Sequence, residues 1–294
     1  MAKTEKIKLG GMTAEIDTLG GQLISLVKND IEYIWQRDAK YWSGCAPILF
    51  PVVGRLRDGI LTIKGKDYPM PKHGFARDLV MNVADKTDSS VKFELKSSEE
   101  TKKFYPWDFE FCVKFALNNS CLTVSFEVKN TDKEAMIFGL GGHPAFNVPM
   151  YDGDKFTDYR LEFEKEELLE SNYVNPDDSI RADKKEVVLN GGKTINIKRS
   201  LFNNDAMIFE NIKSKSVKLI NHENKGIKFS YDGFPTFAVW TKGEPEEAEF
   251  VCLEPWISMG FRDNEDSKIE SKCGMKTLMP GEKFSAAFEI EICD

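Results

Sequence analysis

Between Phe109 and Val128 apolar side chains fall on alternate positions in two successive runs, separated by the polar triplet Asn118-Asn-Ser. A period of two places every second side chain on one face of an extended chain. Two such runs joined by a short polar stretch predict a β-hairpin. The same pattern recurs in Ala14–Leu19, Gln22–Lys28, Ile31–Trp35, Val217–Ile220, Ile227–Tyr231 and Phe237–Trp240. It closes the chain in Phe284–Ile292, after the turn Met279-Pro-Gly-Glu. Helical spacing is confined to Ser98–Phe104, expected to be one short helix, and Phe156–Glu170 fits neither period. Many short strands at regular spacing predict an all-β protein, a large antiparallel β-sandwich. No Pro-rich or Gly/Ser-rich linker divides the chain, so residues 1–294 are expected to form one domain. The polar stretch Asn175–Lys185 is expected to be a surface loop.

Composition narrows the function. The chain carries a formal net charge of −8 and no long basic run, which argues against nucleic acid or an anionic membrane surface as partner. Its start, Met-Ala-Lys-Thr-Glu-Lys-Ile-Lys, lacks an apolar signal core, and no stretch has the length of a membrane span, so a cytoplasmic protein is expected. The six cysteines form no CxxC pair, and three of them, Cys112, Cys121 and Cys252, lie in apolar runs; buried thiols are expected rather than disulfides or a metal cluster. No GxxxxGK or GxGxxG phosphate cradle occurs, and no histidine pair has local metal-ligand spacing. Neither a metal nor a cofactor is expected.

Polar groups set in apolar or turn-forming surroundings mark the candidate site. In Gly139-Leu-Gly-Gly-His-Pro-Ala-Phe-Asn147, one of only three histidines follows three glycines and precedes a proline. The glycines are expected to free the backbone, and Pro144 biases His143 toward extended geometry. Histidine is suited to proton transfer near neutral pH. Arg55 ends the apolar run Pro47-Ile-Leu-Phe-Pro-Val-Val-Gly and offers a fork of donors to an oxygen-rich ligand or a structural carboxylate. His73 sits at a turn in Lys72-His-Gly-Phe-Ala-Arg-Asp78. Asp205, in Asn203-Asn-Asp, either caps a turn or points into a cleft. In Val251-Cys-Leu-Glu-Pro-Trp256, Glu254 ends an apolar run, so desolvation should raise its pKa. Trp256 offers a flat apolar face of the kind that packs on sugar rings. His222, in Asn-His-Glu-Asn-Lys-Gly, reads as an ordinary turn residue.

Taken together, Gly44-Cys-Ala-Pro-Ile-Leu-Phe-Pro-Val-Val-Gly-Arg55, His73-Gly-Phe-Ala-Arg77, Gly142-His-Pro-Ala-Phe-Asn147 and Glu254-Pro-Trp256 resemble the aldose 1-epimerase (galactose mutarotase) family, and its LacX-like branch in particular. The four motifs stand in the family's order, and the resemblance runs from about residue 8 to the end. It implies a β-sandwich binding a hexose in an open cleft. It also implies His143 as general acid at the ring oxygen, Glu254 as general base at the anomeric hydroxyl, His73 and Arg55 on sugar oxygens, and Asp205 as a further sugar ligand. The chain departs from galactose mutarotases at Ala145, where they usually have tyrosine, and at His73-Gly-Phe-Ala, where they usually have His-Gly-Gly. Both changes are expected to fall around the sugar cleft.

The chemistry suits the residues. Exchanging α and β anomers needs one base at the C1 hydroxyl and one acid at the ring oxygen. A carboxylate beside His143 is expected to favour the protonated imidazole. The partner expected is a small aldose, free or phosphorylated, with Arg77 as a second positive charge at the cleft rim. A noncatalytic sugar-binding or sensing protein, and a glycoside-processing enzyme using Asp205 as a second acid, are the other classes these residues serve; glycosidases need two carboxylates.

Overall fold

The computed structural model describes residues 2–245 and 247–294. The alternating runs form strands close to their expected bounds. The hairpin pairs Phe109–Asn118 with Cys121–Asn130, and Lys283–Cys293 lies against its second strand. These are central to a nine-stranded antiparallel sheet whose order is Thr194–Asn196, Arg160–Phe163, Ser216–Ile220, Gly226–Ser230, Lys283–Cys293, Cys121–Asn130, Phe109–Asn118, Ser90–Lys96 and Asn82–Lys86. Inward residues such as Phe111, Val113, Phe126 and Phe288 are buried, as the period of two requires.

The second large sheet runs Ile180–Asn190, Leu168–Val174, Met207–Glu210, Thr236–Trp240, Phe250–Ile257, Leu140–Gly142 and Ile48–Leu49, with Ala145–Asn147 also paired to Phe250–Ile257. Every residue of Phe250–Ile257 is buried. That explains its lack of alternation in sequence: one face packs on the main core, and the other forms the floor of a cleft covered by loops. Between the sheets lies an aromatic core. Phe50 stacks on Phe111 at 4.5 Å between ring centroids, and Tyr231 on Phe237 at 4.2 Å. Each ring removed from water contributes about 1.5–3 kcal/mol. A four-stranded antiparallel sheet, Thr4–Leu9 to Ile31–Glu32, completes the N-terminal part.

Two local expectations are corrected. Ser98–Phe104 is not a helix but a single 3₁₀ turn at Thr101–Lys103, held by reciprocal Ser98 and Thr101 bonds. Asn175–Lys185 is a loop only as far as Ser179. From Ile180 it becomes the edge strand Ile180–Asn190, whose polar side chains face solvent, and the turn itself carries Asp178 into the cleft. Phe156–Glu170 resolves into a 3₁₀ turn, the strand Arg160–Phe163 and the start of Leu168–Val174. Among the described residues no helix is long and apolar enough to cross a membrane.

Candidate active site

Strand register brings the two central residues together. The strand Phe250–Ile257 pairs Trp256 with Gly141 and Cys252 with Ala145. Counted inward from either pair, the residue opposite Glu254 is His143. Pro144 has no N–H to give the ladder, so the strand breaks into Leu140–Gly142 and Ala145–Asn147 at this point. The Pro144 carbonyl still accepts a bond from the Leu253 N–H. His143 Nε2 lies 3.2 Å from Glu254 Oε2, with side-chain exposures of 9% and 2%. Glu254 is thus mid-strand and fully buried, not at a strand end.

The glycines before His143 serve a different purpose from the one expected. Their φ angles are ordinary, but a Cβ at Gly141 would press on the Trp256 ring and the Pro255 carbonyl, and one at Gly142 on Phe288. They allow close approach between layers. The conformational demand falls instead at the other histidine. His73 has φ 69° and Gly74 φ 76°. A Cβ at Gly74 would overlap the Phe50 carbonyl. In this tight turn His73 N–H donates to the Gly54 carbonyl at 2.8 Å, and Gly54 N–H donates back to His73 Nδ1 at 3.1 Å. A ring nitrogen that accepts a backbone N–H cannot carry the proton, so neutral His73 holds it on Nε2. Burial, then the neighbouring His143, push its pKa well below the usual histidine value.

Around these residues lies a cavity of about 320 Å³ lined by Arg55, His73, Arg77, His143, Asp205, Glu254 and Trp256, all anticipated from sequence. It is also lined by Trp42, Lys72, Asp178, Trp240 and Lys242, which sequence reasoning missed. Arg55 lies at the rim, where its Nε donates to Asp178 Oδ2 at 2.6 Å; Lys72 Nζ is 3.2 Å from the other Asp178 oxygen. Burial pushes the Asp178 carboxyl up, but the Arg55 bond and the Lys72 charge outweigh it, and its pKa is lowered. Asp205 is raised, mainly by burial. Trp256 is only 5% exposed and packs in an apolar cluster with Leu49, Val53 and Ile208. The half-buried indoles at the cleft are Trp42 and Trp240. Neither departure from the galactose mutarotases lines the cavity: Ala145 and Phe75 are buried, in the cluster around Trp35 and in the main core respectively.

Glu254 behaves as expected and His143 does not. Burial drives the Glu254 carboxyl well above its usual value, and Asp205 adds to the rise. Burial also drives His143 down to about 3, the reverse of the expectation that a carboxylate would hold it protonated. The reason is that both charged forms lose solvation, and a carboxyl that keeps its proton offers the imidazole no compensating charge. Burial thus favours the neutral form of each group, the imidazole without its extra proton and the carboxyl with its own.

One donor atom each from His143, Cys252 and Glu254 lie within 4.8 Å of one another, as do donors from Asp154, Asp158 and His222. Among the described residues these are the clusters whose donor atoms could hold a metal. The first includes the closely placed His143 and Glu254, and its Cys252 belongs to the apolar cluster around Trp35. His222 itself is exposed in the turn before Gly226–Ser230.

The chain belongs to the aldose 1-epimerase family, whose profile matches residues 5–289. It is 32% identical over 298 residues to Protein LacX, chromosomal, of Lactococcus lactis subsp. lactis, covering 98% of this chain and 99% of that protein. A solved galactose mutarotase related enzyme from Lactobacillus acidophilus superposes with a TM-score of 0.93 at 32% identity, covering 99% of this chain and 98% of the other. A shorter match, 32% over 127 residues, covers 37% of this chain and 42% of a putative glucose-6-phosphate 1-epimerase of Escherichia coli (strain K12).

Proposed function

We propose that this protein is a mutarotase that interconverts the α and β anomers of an aldose by acid–base ring opening. The observation that carries this reading is the 3.2 Å approach of His143 Nε2 and Glu254 Oε2 at the base of the cleft. The anomeric and ring oxygens share C1, so adjacent donor and acceptor groups reach both without moving the sugar. Glu254 takes the proton of the C1 hydroxyl as the C1–O bond to the ring oxygen breaks and the C1 carbonyl forms. His143 gives its proton to the departing ring oxygen. Rotation about the adjacent C–C bond presents the other carbonyl face, and the reverse transfers close the ring. His73 Nε2–H and the terminal N–H groups of Arg55, whose Nε is taken by Asp178, hold sugar hydroxyls, with Asp205 as an acceptor. Each well-placed proton-transfer group contributes about 10²–10⁴-fold.

Burial favours a second assignment of the same pair, with neutral His143 as base and protonated Glu254 as acid. Both assignments carry one proton, so a rate–pH profile does not separate them. The ¹⁵N shift of His143 with bound sugar does: a protonated ring marks Glu254 as the base.

The substrate we infer is an anionic aldose. Arg77 and Lys242 line the cavity and have no ion-pair partner among the described residues, whereas Arg55 and Lys72 are committed to Asp178. Two uncommitted cations in the cleft of a chain with net charge −8 suit a phosphorylated or carboxylated sugar. The name of the Escherichia coli relative points the same way. Anomer exchange followed by NMR over free and phosphorylated aldoses tests this. Exchange no faster than buffer across the panel overturns the enzyme reading in favour of a sugar-binding protein. Hydrolysis of an aryl glycoside would instead indicate glycoside processing by Glu254 with Asp205.

A further inference from the structure

His143 lacks the usual means of fixing a catalytic imidazole. A histidine that transfers protons through one nitrogen is normally oriented by a hydrogen bond at the other. Here Nδ1 is buried and meets no hydrogen-bond partner from another of the described residues; its one polar neighbour is the backbone of His143 itself. The ring plane is therefore set by packing. Trp42 stacks on one face at 5.0 Å between centroids and 27° between planes. Trp240 and His73 meet it edge-on, at 5.8 Å and 5.6 Å. Trp42 is the contact that lies along the face of the ring, and so it opposes tilt most directly.

Trp42 is itself held, although it lies in an irregular segment between Ile31–Glu32 and Ile48–Leu49. Its N–H donates to the Asp38 carbonyl at 2.9 Å, and its own carbonyl accepts Trp35 Nε1–H at 2.9 Å. Its indole packs against Trp240 and Phe250. Gly44 leaves the space the indole occupies: a Cβ there would overlap the benzo ring of Trp42. The backbone at Gly44 needs no left-handed φ. The glycine is required by the tryptophan, not by the turn. A half-buried indole lining the cavity, anchored at both backbone groups and given room by a glycine, is more than core filling.

We propose that Trp42 is the positioning residue for His143, fixing the imidazole plane so that Nε2 addresses both Glu254 and the substrate, and that Gly44 exists to admit the indole. The kinetic part rests on the mutarotase reading; the orientation part does not. Holding a proton-transfer group within tolerance matters because a displacement of roughly 1 Å can cost about 10²-fold in rate.

The test uses three variants, Trp42→Phe, Trp42→Leu and Gly44→Ala, and two readouts. The first is the chemical shift of the His143 ring protons, identified among three histidines by loss of the signal in His143→Asn. Stacking under an indole moves these protons upfield. The expected result is that Trp42→Phe keeps most of the upfield shift, whereas Trp42→Leu and Gly44→Ala lose it. Gly44→Ala is decisive because it keeps every aromatic residue and displaces only the indole. The second readout is kinetic: kcat falls about 10–100-fold in Trp42→Leu and Gly44→Ala, with KM within a few-fold and most of kcat kept by Trp42→Phe. His143 ring protons that do not move in either displaced variant overturn the proposal whatever the activity. A rise in KM with kcat unchanged also overturns it and makes Trp42 a sugar platform. If the wild type accelerates no anomer exchange, the mutarotase reading fails while the ring-proton shift still decides the role of Trp42.

Discussion

Replacing Glu254 by glutamine should abolish catalysis and at the same time stabilise the protein at neutral and alkaline pH. Glu254 is 1% exposed, and one of its oxygens has no hydrogen-bond partner. Its pKa is raised well above the usual carboxyl value by burial, then by Asp205. The sign follows from linkage. In the unfolded chain the carboxyl loses its proton above about pH 4.3, whereas the folded chain keeps it to higher pH. The folded state therefore binds the extra proton, and wild-type stability falls as pH rises, at up to about 1.4 kcal/mol per pH unit for one proton. The penalty starts near the unfolded pKa and stops growing once pH passes the folded pKa. Glutamine has the same shape and no titration, so it removes this term. The histidines are present in both proteins and cancel in the difference. In a chain of this size 1 kcal/mol corresponds to about 2–4 °C in Tm, so the gap between variant and wild type should widen by up to about 3 °C per pH unit from the unfolded pKa until pH passes the folded one. Thermal unfolding of both proteins from pH 5 to 9, with anomer exchange measured at pH 7, is the assay. The expected outcome is diverging Tm curves together with a loss of about 10²–10⁴-fold in exchange rate and sugar affinity within about tenfold. Parallel Tm curves would mean that Glu254 is ionised at the bottom of the cleft, and the burial argument would fall.

His143→Asn should lower kcat by about 10²-fold or more, while His222→Asn, an exposed turn substitution, changes little; equal effects would remove His143 from the reaction. Arg77→Ala should lower the ratio of kcat/KM for a phosphorylated over a free sugar, and an unchanged ratio would show that Arg77 does not read the anionic group. Exhaustive chelation should leave activity intact, because the proton-transfer pair needs no Lewis acid; a loss restored by one added metal would point instead to the His143, Cys252 and Glu254 cluster.

The sequence carried the fold where one sheet face is wet and the other dry. Phe109–Asn118 alternates because its outward residues meet solvent, and Lys283–Cys293 does so for the same reason. It said least about strands covered on both faces. Phe250–Ile257 has no period to read, and only its embedded glutamate betrayed a site. The expected loop at Asn175–Lys185 failed because an edge strand with exposed side chains has the composition of a loop. Its turn residue Asp178 reached the cleft without any local signal, since what recruits it is Arg55, 123 positions away.

The same contrast runs through the site. His73, His143 and Glu254 were legible because each is a polar group in a sequence context that demands burial. Trp42 and Trp240 were not, since an aromatic residue in a β-rich chain is ordinarily core. What separates Trp42 from the core is a pairing visible only in three dimensions, an indole laid over the His143 imidazole with Gly44 against it. The error over His143 has the same origin. From sequence, a carboxylate near an imidazole suggests an ion pair. The register of one buried strand places both groups where neither charge is solvated, and desolvation then outweighs attraction. On the mutarotase reading, a site built this way starts from a neutral pair, and the incoming sugar supplies the hydroxyl groups that stabilise charge separation as the ring opens. Stabilisation that appears only as the transition state forms raises kcat rather than affinity, which on that reading is compatible with a proton-transfer pair lying deep beneath a cleft rimmed with cations.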